Sequence, residues 1–160
     1  HPPPRQHSFP TRRSSDLVLQ FLFGTGFDAA KGIYWSSEEN KADLDYEILL
    51  KKAEIMINIS LSTRLDKPNT FIIYGEKGEI SVPNYWKSNQ ASLIKNDGTV
   101  EEFSHPMPSE FSYEIDEIAE LINKGKKKSE KLSPEMTMTT VKIVEDLYQE
   151  WFGKEWPNIK

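Results

Sequence analysis

The chain has 160 residues, 20 of them Lys or Arg and 25 Asp or Glu, for a formal net charge of -5 and a pI near 5.3. That balance argues against an extended nucleic-acid surface, which needs a basic face to meet phosphates. A mean hydropathy of -0.61, with no apolar run near the ~20 residues of a membrane span, argues against a transmembrane protein. Cysteine is absent, which excludes disulfide frameworks, thiol catalysis and thiolate metal sites together. The length fits one domain and is too short for a cofactor domain plus a substrate domain.

The first 17 residues, HPPPRQHSFPTRRSSDL, hold four prolines, three arginines and two of the three histidines, with no periodic apolar pattern. Disordered tails and targeting peptides share that composition. His7–Leu17, HSFPTRRSSDL, also resembles the conceptual translation of a common short-read sequencing adapter over eleven consecutive residues. Residues 1–17 are therefore expected to be a non-native, disordered tail, and residues 18–160 the native domain, cut off from whatever preceded it. Without the tail the chain is more acidic still and His105 is its only histidine. One histidine and no cysteine argue against a transition-metal site, while oxygen-only calcium or magnesium sites stay open.

Val18–Phe23 reads as the end of a helix closed by Gly24-Thr25-Gly26. The glycines invite a phosphate-loop reading, but no strand precedes them, no third glycine follows and no helix starts there, so a glycine cap is favoured. Strands follow, beginning with Lys31–Ser36. In Asp43–Lys51 the residues Leu44, Tyr46, Ile48 and Leu50 share one face, opposite Asp43, Asp45 and Glu47. Ala53–Thr63 alternates Ile55, Ile57, Ile59 and Leu61 against Met56, Asn58, Ser60 and Ser62, with Lys51-Lys52 as the expected hairpin turn. Asn69–Tyr74 and Glu79–Val82 flank Gly75-Glu76-Lys77-Gly78; Ala91–Lys95 and Thr99–Ser104 flank Asn96-Asp97-Gly98.

Two helices close the chain. Ser112–Lys124 places Ile115, Ile118, Ala119 and Ile122 on one stripe before Gly125. The cluster Lys126, Lys127 and Lys128 suits a solvated loop at a helix C-terminus better than a nucleic-acid site in so acidic a chain. Ser133 and Pro134 start the second helix, in which Met138, Val141, Val144, Tyr148 and Trp151 recur at helical spacing as a core stripe. The expected fold is α+β: an open-faced, mostly antiparallel sheet of about six to seven strands with both C-terminal helices packed on one face.

Ile72–Trp86, IIYGEKGEISVPNYW, with Phe111–Gly125, FSYEIDEIAELINKG, and the closing Trp156-Pro157, resembles the C-terminal domain of the Gfo/Idh/MocA oxidoreductases, nearest the dihydrodiol and sugar dehydrogenases. The resemblance spans residues 18–157. It implies a parent enzyme that uses NAD or NADP to oxidise or reduce a sugar, polyol or diol and self-associates through its sheet; the cytoplasm is the expected compartment, with a signal peptide on the missing native N-terminus left open. The family's Gly-x-Gly-x-x-Gly and its proton-transferring Glu-Lys-Pro lysine have no counterpart here, so the N-terminal Rossmann domain is expected to be absent. The chain alone is then expected to bind no cofactor or metal and to carry no catalytic residue. A non-catalytic sheet module that binds carbohydrate or a protein through surface aromatics is the competing reading.

The resemblance makes Trp35, Trp86 and His105 substrate-pocket candidates. Each has a plainer role: an aromatic on a sheet is more often packing, and a lone loop histidine is more often solvated than a general acid or base. Met56, Asn58, Ser60 and Ser62 form a mixed, mildly polar stripe suited to a two-fold interface between copies. In such an interface Asp43, Asp45 and Glu47 would need cationic partners, such as Arg64 or Lys51 of the other copy.

Overall fold

The structure, a computed structural model, describes residues 10–37, 43–109 and 111–155. The elements run in the order α1 (Pro10–Phe23), β1 (Ala29–Trp35), β2 (Asp45–Lys52), β3 (Ile55–Ser62), β4 (Thr70–Gly75), β5 (Gly78–Pro83), β6 (Gln90–Lys95), β7 (Val100–Ser104), α2 (Ser112–Asn123) and α3 (Pro134–Phe152), with short 3-10 turns at Tyr85–Lys87 and Gly153–Glu155. The chain is α+β, as expected, and every strand pairing among the described residues is antiparallel. Among the described residues seven strands form not the single sheet expected but two, β1-β2-β3 and β4-β5-β6-β7. The chain forms two compact units, His1–Lys67 with Glu130–Lys160 and Pro68–Ser129, each described by itself below.

In the first unit, residues on alternate positions of β2 and β3 face inward because a strand's side chains alternate. Tyr46, Ile48, Leu50 and Ile57 are buried there, with Leu50 only 1% exposed. α3 covers that face with Ile143, Val144, Leu147, Tyr148 and Trp151, and α1 packs on α3, where Leu19 and Met136 are buried and Gln20 Nε2 donates to Met136 O at 3.0 Å. The buried stripe of α3 is Met136, Thr140 and Leu147, so Met138 and Val141, expected in the core, lie exposed on another side. Spacings of four and seven keep residues on one helical face, whereas Met138 is two positions out of phase with Met136. Trp151 stacks on Tyr34 and donates its Nε1–H to Gly32 O at 2.9 Å. As read from the sequence, Ser133 caps α3, accepting from Met136 N–H at 3.4 Å, with Pro134 in its first turn.

Two boundaries moved. α1 begins at Pro10, so its first turns fall in the stretch assigned by composition to a structureless tail; residues 1–9 lie outside the described ones. The β2–β3 turn falls on Ala53-Glu54 rather than Lys51-Lys52, since Lys52 still pairs with Ile55. Ala53 takes a left-handed φ of 50°, unusual for a residue with a Cβ, and is held by a bond from its N–H to Asp28 Oδ2 at 2.6 Å.

The second unit is a meander of three hairpins. The Gly75–Gly78 turn is required by sterics: Gly78 has φ +151°, and a Cβ there would stand 2.3 Å from Ile94 O. Asp97 accepts from Thr99 N–H at 2.8 Å, and Gly98, at φ +86°, completes the next turn. α2 ends in a left-handed Gly125, with Lys126 N–H bonded back to Leu121 O at 2.9 Å. Its expected packing stripe is not covered: Ile115, Ile118 and Ile122 are 62%, 51% and 72% exposed.

Candidate functional site

The outward face of the β1-β2-β3 sheet is built by register. β1 presents Lys31, Ile33 and Trp35, and pairing aligns Ile33 with Glu47 and Ser60, and Trp35 with Asp45 and Ser62. Around Trp35 the side chains interlock. Arg64 lies over the indole, its guanidinium carbon 3.7 Å from the ring centroid, and its Nε donates to Asp45 Oδ2 at 2.7 Å while a second guanidinium nitrogen reaches the same oxygen. Ser62 donates to Asp45 Oδ1 at 2.7 Å. The Arg64 hydrogen bond, more than any other influence, holds the Asp45 carboxyl below its ordinary value of 3.8.

The neighbouring row repeats the device. Lys67 donates to Glu47 at 2.9 Å, and Ser60 donates to the same carboxylate. Partial burial works against ionisation of Glu47, but the bonds from Ser60 and Lys67 outweigh it and leave the group below its usual 4.5. Asp45 and Glu47 are thus paired within one chain, by Arg64 and Lys67. Arg64, expected to meet these carboxylates from another copy, meets Asp45 within its own chain, and Lys67 is a partner that sequence alone does not mark.

Of the interface candidates, Met56, Asn58 and Ser60 are exposed on this face, Met56 by 66%. Ser62 is buried and its hydroxyl is committed, accepting from Arg64 and Leu65 N–H as it donates to Asp45. Ile33 and Leu49 join the face at 73% and 48% exposure. Their parity with Trp35 and Glu47 is the sequence signal that places them there. A carboxylate held below its usual pKa is a poor general acid or base near neutrality.

Trp86 and His105 belong to the second unit and share one end of its sheet. The turn at Tyr85–Lys87 precedes β6, and His105 follows β7, with its N–H bonded to Asn89 O at 2.9 Å. Trp86 is 39% exposed, with Lys87 Nζ 4.5 Å from its ring centroid. The His105 ring stacks on Tyr113 at 5.9 Å, and Tyr113 OH donates to Pro106 O at 2.7 Å. Phe71 and Tyr85, 6.2 Å apart, extend the same aromatic end. Trp35 is not part of this cluster; it stands on the other sheet.

A third feature, not anticipated from sequence, is an open groove of about 570 Å³ between the start of β1 and α3. Phe27, Ala29 and Ile143 give it apolar walls, and the Lys142–Asp146 ion pair and Glu150, itself paired with Lys31, give it charge.

No protein-family model matches the chain. No curated protein matches it either. Solved structures do match in fold: an aldose-aldose oxidoreductase from Caulobacter crescentus complexed with glycerol (TM-score 0.70, 14% identity over 86% of this chain), a putative oxidoreductase from Bacteroides fragilis (0.60, 18%, 86%) and one from Klebsiella pneumoniae (0.64, 10%, 88%). The chain shares their fold. It accounts for only 42% of the first and 46% of each of the others, less than half their length.

The Gly24-Thr25-Gly26 segment does not fit the phosphates of a nicotinamide dinucleotide. A phosphate loop turns backbone N–H groups toward the ligand at the start of a helix. Gly24-Thr25-Gly26 instead follows a helix and turns three carbonyls onto one ammonium, that of Lys52. Among the described residues no group of three or more His, Asp or Glu side chains could hold a metal ion, and no helix is long and apolar enough to cross a membrane.

Proposed function

We propose that this chain is the substrate-binding and oligomerisation part of an NAD- or NADP-dependent cytoplasmic oxidoreductase of the Gfo/Idh/MocA family, acting on a sugar, polyol or diol. The observation that carries the reading is the fold shared with three oxidoreductases over 86–88% of this chain, of which it represents less than half. In this reading the dinucleotide and the proton-transferring lysine belong to a preceding Rossmann domain. Trp86 and His105, gathered at one sheet end, would line the substrate pocket, with the exposed indole offering an apolar platform to a sugar ring. Trp35, already covered by Arg64, fits a surface role better than a pocket role.

The outward face of β1-β2-β3 is the proposed contact between copies. Ile33, Leu49 and Met56 supply apolar area, and the carboxylates among them, Asp45 and Glu47, are already paired within the chain, so covering the face strands no lone carboxylate. Met56→Lys with Ser60→Lys should shift a dimer to monomer in sedimentation while the circular dichroism spectrum is kept. The reading as a whole is tested on the uninterrupted gene. Upstream of Val18 it should encode a strand, a Gly-x-Gly-x-x-Gly turn, a helix and a Glu-Lys-Pro, and a coding sequence without them would overturn it.

A further inference from the structure

The end of α1 presents an arrangement that the proposed function does not use. Lys52 Nζ sits among the carbonyl oxygens of Gly24, Thr25 and Gly26 at 2.7, 2.6 and 2.8 Å. These are the lengths of charge-assisted hydrogen bonds, and an ammonium has three donors to give. Three consecutive carbonyls can converge only where the backbone leaves the right-handed region, and Gly24 and Gly26 do so with φ of +84° and +80°. The cage also stands at the helix C-terminus, where the backbone dipole favours a cation, and the Phe27 ring lies 5.9 Å from the same nitrogen. No carboxylate contributes to it, so this is a cation site made of backbone and an aromatic ring rather than a surface salt bridge.

Its surroundings give the cage a purpose. Beside it, Asp28 N–H donates to Lys51 O at 2.8 Å and Ala53 N–H donates to Asp28 Oδ2, so the segment entering β1 is clasped to the β2–β3 turn. Gly26, Phe27, Asp28 and Ala29 of that segment form one wall of the groove beside α3. We propose that Gly24–Gly26 is an ammonium-binding cage occupied by the chain's own Lys52, and that this tethered cation positions the groove wall. Neutralising Lys52 releases the wall, and truncating it leaves a vacancy for a small free ammonium ion that bears N–H donors.

Lys52→Met keeps the aliphatic stem and removes the charge. In it, hydrogen exchange at the Asp28 and Ala53 amides should quicken on the order of tenfold, while amides of α3 remain protected. Lys52→Ala empties the cage altogether. Methylammonium chloride should restore most of the lost protection at Asp28 and Ala53 in that variant, and tetramethylammonium chloride at equal ionic strength should not, because it has the charge without the donors. Lys52→Arg should recover only part of the protection, since a planar fork cannot point three donors at convergent carbonyls. Unchanged exchange in Lys52→Met would overturn the positioning role, and equal effects of the two salts would overturn the cage.

Discussion

The two units use the same element, an antiparallel hairpin, and are stabilised differently. In the first, three strands present one apolar face to α3, on which α1 packs, and every residue that the described part of the chain buries belongs to this unit. In the second, four strands and α2 leave none of the described residues buried, and Tyr74, Phe103 and Ile122 are 75%, 54% and 72% exposed. Burial holds the first unit, while ladder hydrogen bonds and turn geometry hold the second. A hairpin sheet without a covering layer is marginal by itself, so the second unit should be the more easily opened.

That contrast can be broken most directly in the cores. Leu50→Ala removes a side chain 1% exposed and should cost about 2–5 kcal/mol in urea titration. Leu93→Ala, on a half-buried strand of the second unit, should cost about 1 kcal/mol. Equal losses would show that the second unit has a core of its own. A turn substitution sharpens the other half of the comparison. Gly78→Ala drives a Cβ to 2.3 Å from Ile94 O and should cost about 1–3 kcal/mol, seen as rapid exchange along β5 and β6, whereas Gly98→Ala meets open space and should cost less.

The smallest effect is electrostatic and belongs to the first unit. Asp45 titrates below 3.8 when folded, so the stability it lends is complete above its unfolded value near 3.9 and disappears as pH falls through the lower, folded value. Arg64→Ala should therefore lower the thermal midpoint at pH ~6, with the gap from the unaltered chain closing toward pH ~2. Arg64 is half-exposed, so a shift of a few degrees at most is expected. A gap that widens on acidification would contradict the pairing.

The strands were legible because alternation and turn chemistry are local: Gly75–Gly78, Asp97-Gly98 and Ser133-Pro134 each did what their residue types require. What escaped was set by distant contacts. Nothing in Lys52 marks it as the last residue of a strand, because the carbonyls that hold it lie on the segment 24–26. The pairing of Arg64 with Asp45 needed the register of β2 on β3. The α2 stripe was read correctly as amphipathic, but periodicity says only that a face is apolar and not that a partner covers it. Of the site candidates, the sheet positions of Trp35, Met56, Asn58 and Ser60 followed from parity. The shared location of Trp86 and His105 emerged only with the meander.

Gly32 sets a limit on how this domain can vary. A Cβ there would stand 2.7 Å from Cζ2 of Trp151, whose Nε1–H is bound to the Gly32 carbonyl. The indole can lie flat on β1 only because that residue has no side chain, so the two positions behave as lock and key across 119 residues of sequence. A larger residue at 32 requires a smaller one at 151. Among homologous sequences, change at one should therefore be accompanied by change at the other, leaving glycine with tryptophan or a side chain with a slimmer partner.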